Sequence, residues 1–89
     1  MNQLSYFSQQ LNLLYFQVIG HDAEYISPIA ESGSARKYFR LSGKINNFIG
    51  AYNANIDENE AFFSYTQSFR QCGLNVPQII AIDSTRTFY

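Results

Sequence analysis

Short connections between the apolar segments of this 89-residue chain limit how those segments can be arranged. Three strand-like segments, at 24–30, 37–41 and 47–52, are joined only by the turns Ser32-Gly33-Ser34 and Ser42-Gly43-Lys44. A parallel crossover requires a dozen or more residues, whereas neighbouring antiparallel strands require only a tight turn. The sequence therefore predicts two antiparallel hairpins in succession.

Helical periodicity precedes and follows these strands. The first helix is indicated by apolar residues at intervals of three and four: Leu4, Phe7, Leu11, Leu14 and Val18. The second begins at 57–60, where Asp57 and Glu60 have the spacing of a capping box. Its predicted core face carries three aromatic residues and a cysteine: Phe62, Tyr65, Phe69 and Cys72.

Two further strands are expected after the second helix. Pro77 prevents the helix from continuing, and strand-like segments at 78–82 and 86–89 are separated by the turn Asp83-Ser84. The sequence thus predicts a single α+β domain over residues 1–89. Its sheet is expected to be five-stranded and mostly antiparallel, with one helix at the N-terminus and one between strands three and four.

The turn between the first two strands carries the clearest functional signal. Its residues have little side-chain bulk: Ser32, Gly33, Ser34 and Ala35. Their backbone N–H groups can therefore approach a ligand closely. Half of the chain's six basic side chains follow within five positions: Arg36, Lys37 and Arg40. Exposed amides beside clustered cations suit a phosphate group, and a solvated strand face is the equally weighted alternative for the cations.

Composition and charge exclude several classes of function. The net charge is −1, so the chain has no electrostatic basis for binding nucleic acid or an anionic membrane. The N-terminal residues lack the features of a signal peptide, and no apolar run approaches the roughly 20 residues of a transmembrane helix. The single Cys72 fits a reducing compartment. We therefore expect a soluble cytoplasmic protein. We also expect no metal site, because acidic residues such as those at 57–60 are common in the first turn of a helix, where they interact favourably with the helix dipole.

The order of the elements, together with three short motifs, resembles the N-terminal lobe of protein-kinase-like folds. The chain is most similar to the aminoglycoside phosphotransferase and choline-kinase-like family, on its branch of bacterial small-molecule and amino-sugar kinases. The motifs are Gly33-Ser34-Ala35-Arg36-Lys37-Tyr38-Phe39-Arg40, Glu58-Asn59-Glu60-Ala61-Phe62 and Gly73-Leu74-Asn75-Val76-Pro77. Their order and spacing extend the resemblance over nearly all of the chain.

The resemblance implies the ATP-binding, N-terminal lobe of a truncated phosphotransferase, which transfers the γ-phosphate of ATP to a small-molecule hydroxyl, such as that of a sugar or amino sugar. It implies that the turn at 32–36 covers the phosphates, that Arg36 and Arg40 lie beside them, and that Glu60 orients the phosphate-binding cation. The catalytic residues and the Mg²⁺ ligands would lie in a C-terminal catalytic lobe outside this chain. The chain alone is then expected to be inactive, and its exposed cleft face to favour artificial dimers.

Two features depart from the family pattern. The third strand, at 47–52, contains no Lys, and nothing in the sequence selects Arg36, Lys37 or Arg40 as its replacement. The turn also has one glycine where protein kinases have several. Two other hypotheses therefore stay open, a small protein-interaction module and a regulatory pseudokinase lobe. The sequence leaves undetermined the phosphate acceptor, ATP binding by the isolated chain, the native chain length and the oligomeric state.

Overall fold

Two helices and a three-stranded sheet make up the computed structural model, which describes residues 3–29 and 35–89. In chain order the elements are α1 (Gln3–Ile19), β1 (Tyr25–Pro28), β2 (Lys37–Ser42), β3 (Asn47–Tyr52) and α2 (Ile56–Gln71). The strand order is β1-β2-β3, and both pairs are antiparallel. The prediction of two successive hairpins is therefore confirmed. Neither described helix combines the length and the hydropathy needed to cross a membrane.

The prediction of a five-stranded, kinase-lobe sheet is wrong. Residues 78–82 form no strand, because within the described chain no neighbouring backbone exchanges hydrogen bonds with them. Of residues 86–89, only Phe88 forms a bridge, an antiparallel one with Tyr52. Arg86 adopts a left-handed φ of 63° in the preceding turn, and backbone pairing with the β3 side begins only at Thr87. Three paired residues do not make a fifth strand.

The core lies between α1 and one face of the sheet. Because side chains alternate along a strand, Phe39 and Leu41 of β2 face α1 and are buried. The buried cluster also contains three aromatic residues and a leucine: Phe7, Tyr15, Phe88 and Leu11. Gly50 of β3 permits this close packing, because a Cβ there would lie 2.9 Å from Leu11 Cδ2. The tight contact fixes the position of α1 over the β2–β3 hairpin.

The apolar stripe predicted for α1 is confirmed in its middle and wrong at its end. Phe7, Leu11 and Leu14 are buried, whereas Val18 is 45% exposed. Tyr15, which lies outside the predicted stripe, is buried instead, and its ring makes an edge-to-face contact with the ring of Phe48 in β3. The side chain of Leu4 lies outside the described part of the chain.

α2 begins at a different cap from the one predicted. Asn55 is the N-cap: its side-chain oxygen accepts the Glu58 N–H at 3.1 Å, and its Nδ2 donates to Glu58 Oε2 at 2.8 Å. Asn55 therefore caps α2 and is bonded to Glu58, and the predicted capping pair of Asp57 and Glu60 is wrong. Asp57 already lies in the first helical turn, where its negative charge interacts favourably with the helix dipole but where it is not the N-cap.

α2 also buries a different face from the predicted aromatic one. Asn59 and Thr66 are its buried residues. Tyr65, Phe69 and Cys72 are exposed, with Tyr65 at 63%. The reason is that α2 contacts the chain segment at 86–89 through its polar side, rather than the sheet through its apolar side. The helix is therefore attached by hydrogen bonds and by two half-buried phenylalanines.

Candidate functional site

The open face of the sheet, defined as the side turned away from α1, presents the predicted phosphate contacts of β2. Tyr38 and Arg40 alternate with the buried Phe39 and Leu41 and are exposed. Arg36 precedes β2 by one residue and follows the same alternation. One side of a single strand thus carries two guanidinium groups with a tyrosine between them.

The other predicted residues of the turn divide into two groups. Ser32, Gly33 and Ser34 lie outside the described residues, and Ala35 is exposed. Lys37 pairs with Tyr52 across the hairpin and has the alternation of the face that carries α1. Of the three clustered cations, two therefore belong to the open face and one does not.

Arg36 is anchored at the junction between β2 and α2. Its guanidinium carbon lies 4.8 Å from the centre of the Phe62 ring, a cation–π contact. Burial opposes its charged form, but a hydrogen bond to Tyr38 and the nearby Tyr89 and Glu58 outweigh burial and raise the pKa of Arg36 above its ordinary value. Arg36 therefore stays cationic and holds a defined position at the edge of the open face.

Arg40 lies four residues further along the strand, about 13 Å away at a rise of about 3.3 Å per residue. Its side chain is exposed, and no hydrogen bond or ion pair engages it among the described residues. A guanidinium in this state can donate two parallel hydrogen bonds to a phosphate or carboxylate. Arg40 is therefore the group on this face that is chemically available to an anion.

Tyr89 closes the site on the side of α2. Its ring lies 4.8 Å from the Phe63 ring and 5.7 Å from the Phe62 ring. Burial is the main cause that raises the pKa of Tyr89, with Arg36 opposing it. The phenol therefore stays protonated near neutral pH. Its hydroxyl is directed at Asn59 Oδ1, 3.4 Å away.

Glu60 does not meet either arginine of the open face. It forms a two-pronged ion pair with Arg86, with Nε at 2.5 Å from Oε2 and Nη2 at 2.9 Å from Oε1. The hydrogen bond from Arg86 lowers the pKa of Glu60. The arrangement resembles a carboxylate that orients a cation, but the cation is one that sequence reasoning did not single out. The two residues are 26 positions apart, so no local pattern could have paired them.

Asn59 is a second residue that the sequence analysis missed. It is fully buried, and its Nδ2 donates to the carbonyl oxygens of Asn53 and Arg86 at 2.8 and 2.9 Å. Asn53 is also buried, and its Oδ1 accepts the Asn55 N–H at 3.1 Å. A polar residue inside a helical motif signals nothing by itself, because only the packed neighbours show that its amide is used.

The described residues contain no group of three or more His, Cys, Asp or Glu side chains placed to hold a metal ion. Two acids at the start of α2 have other partners, since Glu58 accepts a hydrogen bond from the Asn55 side chain and Glu60 binds Arg86.

The structure places Arg36, Tyr38 and Arg40 on one face of the sheet. Glu60, which was expected to orient a phosphate-binding cation of this site, pairs with Arg86. Such a face can bind an anion by charge-assisted hydrogen bonds. Comparisons with protein-family models, with curated proteins and with solved structures find no match to this chain. The likeness to phosphotransferases is therefore a hypothesis carried by the sequence motifs.

Proposed function

We propose that this chain binds ATP on the open face of its sheet, as the nucleotide-binding part of a phosphotransferase that phosphorylates a small-molecule hydroxyl, such as that of a sugar or amino sugar. The observation that carries the proposal is the exposed guanidinium of Arg40, beside Tyr38 and in line with Arg36. Guanidinium groups bind phosphate oxygens in a fork, and an exposed aromatic ring offers a surface on which a base can stack.

The two arginines have different roles in this proposal. Arg40 donates hydrogen bonds to the phosphates directly. Arg36, whose position is set by Phe62 and Tyr38, supplies a fixed positive charge at the edge of the site. Phosphoryl transfer itself needs an acid and Mg²⁺ ligands from another part of the parent enzyme.

Titration of the full chain with ATP, with and without Mg²⁺, tests the proposal by isothermal calorimetry. Arg40→Ala is expected to weaken ATP binding about 10- to 150-fold, the range for losing one charged hydrogen bond of about 1.5–3 kcal/mol. Lys44→Ala is the matched control, because it removes an exposed cation in the turn after β2. We expect its effect on affinity to stay within about twofold.

Two results would contradict ATP binding at this face. One is a titration without saturable heat at millimolar ATP. The other is equal affinity for wild type and Arg40→Ala. If ATP binds as expected but the complete parent enzyme transfers no phosphate to any sugar, the regulatory pseudokinase hypothesis becomes the better one, and the absence of a lysine in β3 supports it.

A protein-interaction module is the second candidate function, and the exposed side of α2 favours it. Tyr65 and Phe69 stack with their ring centres 6.2 Å apart, and Leu74 beside them is 55% exposed. Exposed aromatic residues are typical of the centre of protein interfaces. Sedimentation experiments that compare the oligomeric state of the wild type with that of Phe69→Ser test self-association. A wild-type dimer that the substitution dissociates would support this function.

A further inference from the structure

An apolar groove runs beside β3 on the side of the sheet that carries α1. The space in it that water can reach is about 80 Å³, and the groove is open to solvent. Its walls come from three parts of the chain: Leu14 and Val18 of α1, Ile49 and Gly50 of β3, and Ile80 with Ala81. The groove is continuous with the core, because Leu11 and Leu41 line it and also belong to the buried cluster.

The backbone of β3 offers hydrogen bonds along this groove. Residues 87–89 pair antiparallel with its outer edge: Ala51 and Tyr89 exchange both N–H···O bonds, at 2.7 and 3.0 Å, and the Asn53 N–H donates to Thr87 O at 3.0 Å. The groups of an antiparallel edge point outward at every second residue. Ile49, two residues before Ala51, therefore presents its N–H and C=O to the same side.

The register with β2 gives the same orientation independently. The Ile29 N–H donates to Tyr38 O, so Tyr38 and, by alternation, Arg40 direct their backbone groups toward β1. Their partners across the second hairpin are Ala51 and Ile49, which must then direct theirs away from β2. No backbone bond within the described chain engages the outward groups of Ile49.

We propose that the outer edge of β3 at 47–50, together with this groove, is a strand-addition site whose occupant is an extended peptide segment running antiparallel to β3. The occupant continues the pairing that residues 87–89 already make on the same edge. Main-chain hydrogen bonds to Ile49 give the affinity, and the groove selects the side chains.

The alternation of side chains specifies the chemistry of the occupant. A residue opposite Ile49 faces the open side of the sheet and is polar. Residues opposite Gly50 and Phe48 face α1, so their side chains enter the groove between Leu14 and Val18 and are apolar and β-branched. The preferred segment therefore reads apolar–polar–apolar.

The probe is the peptide Val-Thr-Val-amide, whose three residues lie opposite Gly50, Ile49 and Phe48 and leave the place of Tyr89 opposite Ala51 untouched. It is added to the ¹⁵N-labelled full chain and followed by amide chemical shifts. We expect saturable shifts at Ile49 and Val18. The same peptide with its central threonine N-methylated is expected to bind about tenfold more weakly, because the residue opposite Ile49 loses its donor. Val18→Asp is expected to abolish the shifts, whereas Leu13→Asp, on the outward side of α1, is expected to leave them unchanged.

Three results would overturn the proposal. The first is an absence of saturable shifts at several millimolar peptide. The second is equal affinity for the N-methylated and the unmodified peptide, which would show that backbone pairing with Ile49 does not hold the peptide. The third is appearance of the same shifts on raising the protein concentration without peptide, which would make a second copy the occupant. The N-methylated peptide needs no substitution in the protein, so the test stands even if Val18→Asp unfolds.

Discussion

Asn59→Leu removes the side chain that ties α2 to the rest of the chain, and we expect it to be strongly destabilising. The Asn59 Nδ2 bonds two carbonyl oxygens, those of Asn53 at 2.8 Å and of Arg86 at 2.9 Å. Leucine has a similar volume and no donor. Both carbonyl groups would lose this partner while the surrounding packing keeps most of its shape.

The magnitude follows from the two lost bonds. A buried carbonyl left without its partner costs about 1–3 kcal/mol, so two cost about 2–6 kcal/mol. We expect about 3 kcal/mol, because the Arg86 carbonyl is only partly buried and can regain water. A chain of 89 residues has a total stability of about 4–13 kcal/mol. The assay is urea unfolding, followed by far-ultraviolet circular dichroism and by the fluorescence of the seven tyrosines.

Two companion variants sharpen this test. Asn75→Leu changes an exposed asparagine and is expected to alter stability by less than about 0.5 kcal/mol. Asn59→Asp places an acceptor where two carbonyl oxygens need a donor, and burial would raise the pKa of that carboxyl. Its stability relative to wild type should therefore fall as pH rises above about 4, the ordinary pKa of Asp. A loss below about 1 kcal/mol for Asn59→Leu would refute the reasoning.

Three shorter predictions concern the cap, the ion pair and the core. Asn55→Ala is expected to cost about 1 kcal/mol and Asp57→Ala much less, and equal urea midpoints would argue against the observed cap. Glu60→Gln is expected to lose stability above pH 4.5 and to match wild type once pH falls below the lowered pKa of Glu60, because only the carboxylate pairs with its arginine; a pH-independent difference in midpoint would contradict this. Gly50→Ala is expected to cost about 1–3 kcal/mol by overpacking the core, more than Gly20→Ala, which has open space but a φ of 96°; thermal unfolding ranks the two.

The parts of the fold that the sequence predicted are those governed by neighbouring residues. Short turns admit only antiparallel hairpins, and alternation along β2 puts Phe39 and Arg40 on opposite faces of the sheet. The helix stripe from Phe7 to Leu14 is equally local. These features depend on a period of two or of 3.6 residues and on chain length, so they are visible without knowing what packs against them.

The errors share one cause, which is that contacts distant in the chain decided the outcome. The aromatic stripe of α2 predicted a core face, but the chain segment at 86–89 reached the helix through Asn59 and Glu60 on another side. The predicted strand at 78–82 had suitable residues and no neighbouring strand within the described chain. β-propensity and amphipathicity describe what a segment can do, whereas burial depends on the partner that arrives.

The sequence by itself determined the two hairpins, the position of the first helix and the line of Arg36, Tyr38 and Arg40 along one strand. Only the tertiary structure decided that Glu60 binds Arg86, that Asn59 is buried, and that an apolar groove lies beside the outer backbone edge of β3 at Ile49. The physical reason is the range of the interactions. Turn length and side-chain alternation act over a few residues, but an ion pair across 26 positions or an unpaired strand edge exists only once the chain has packed.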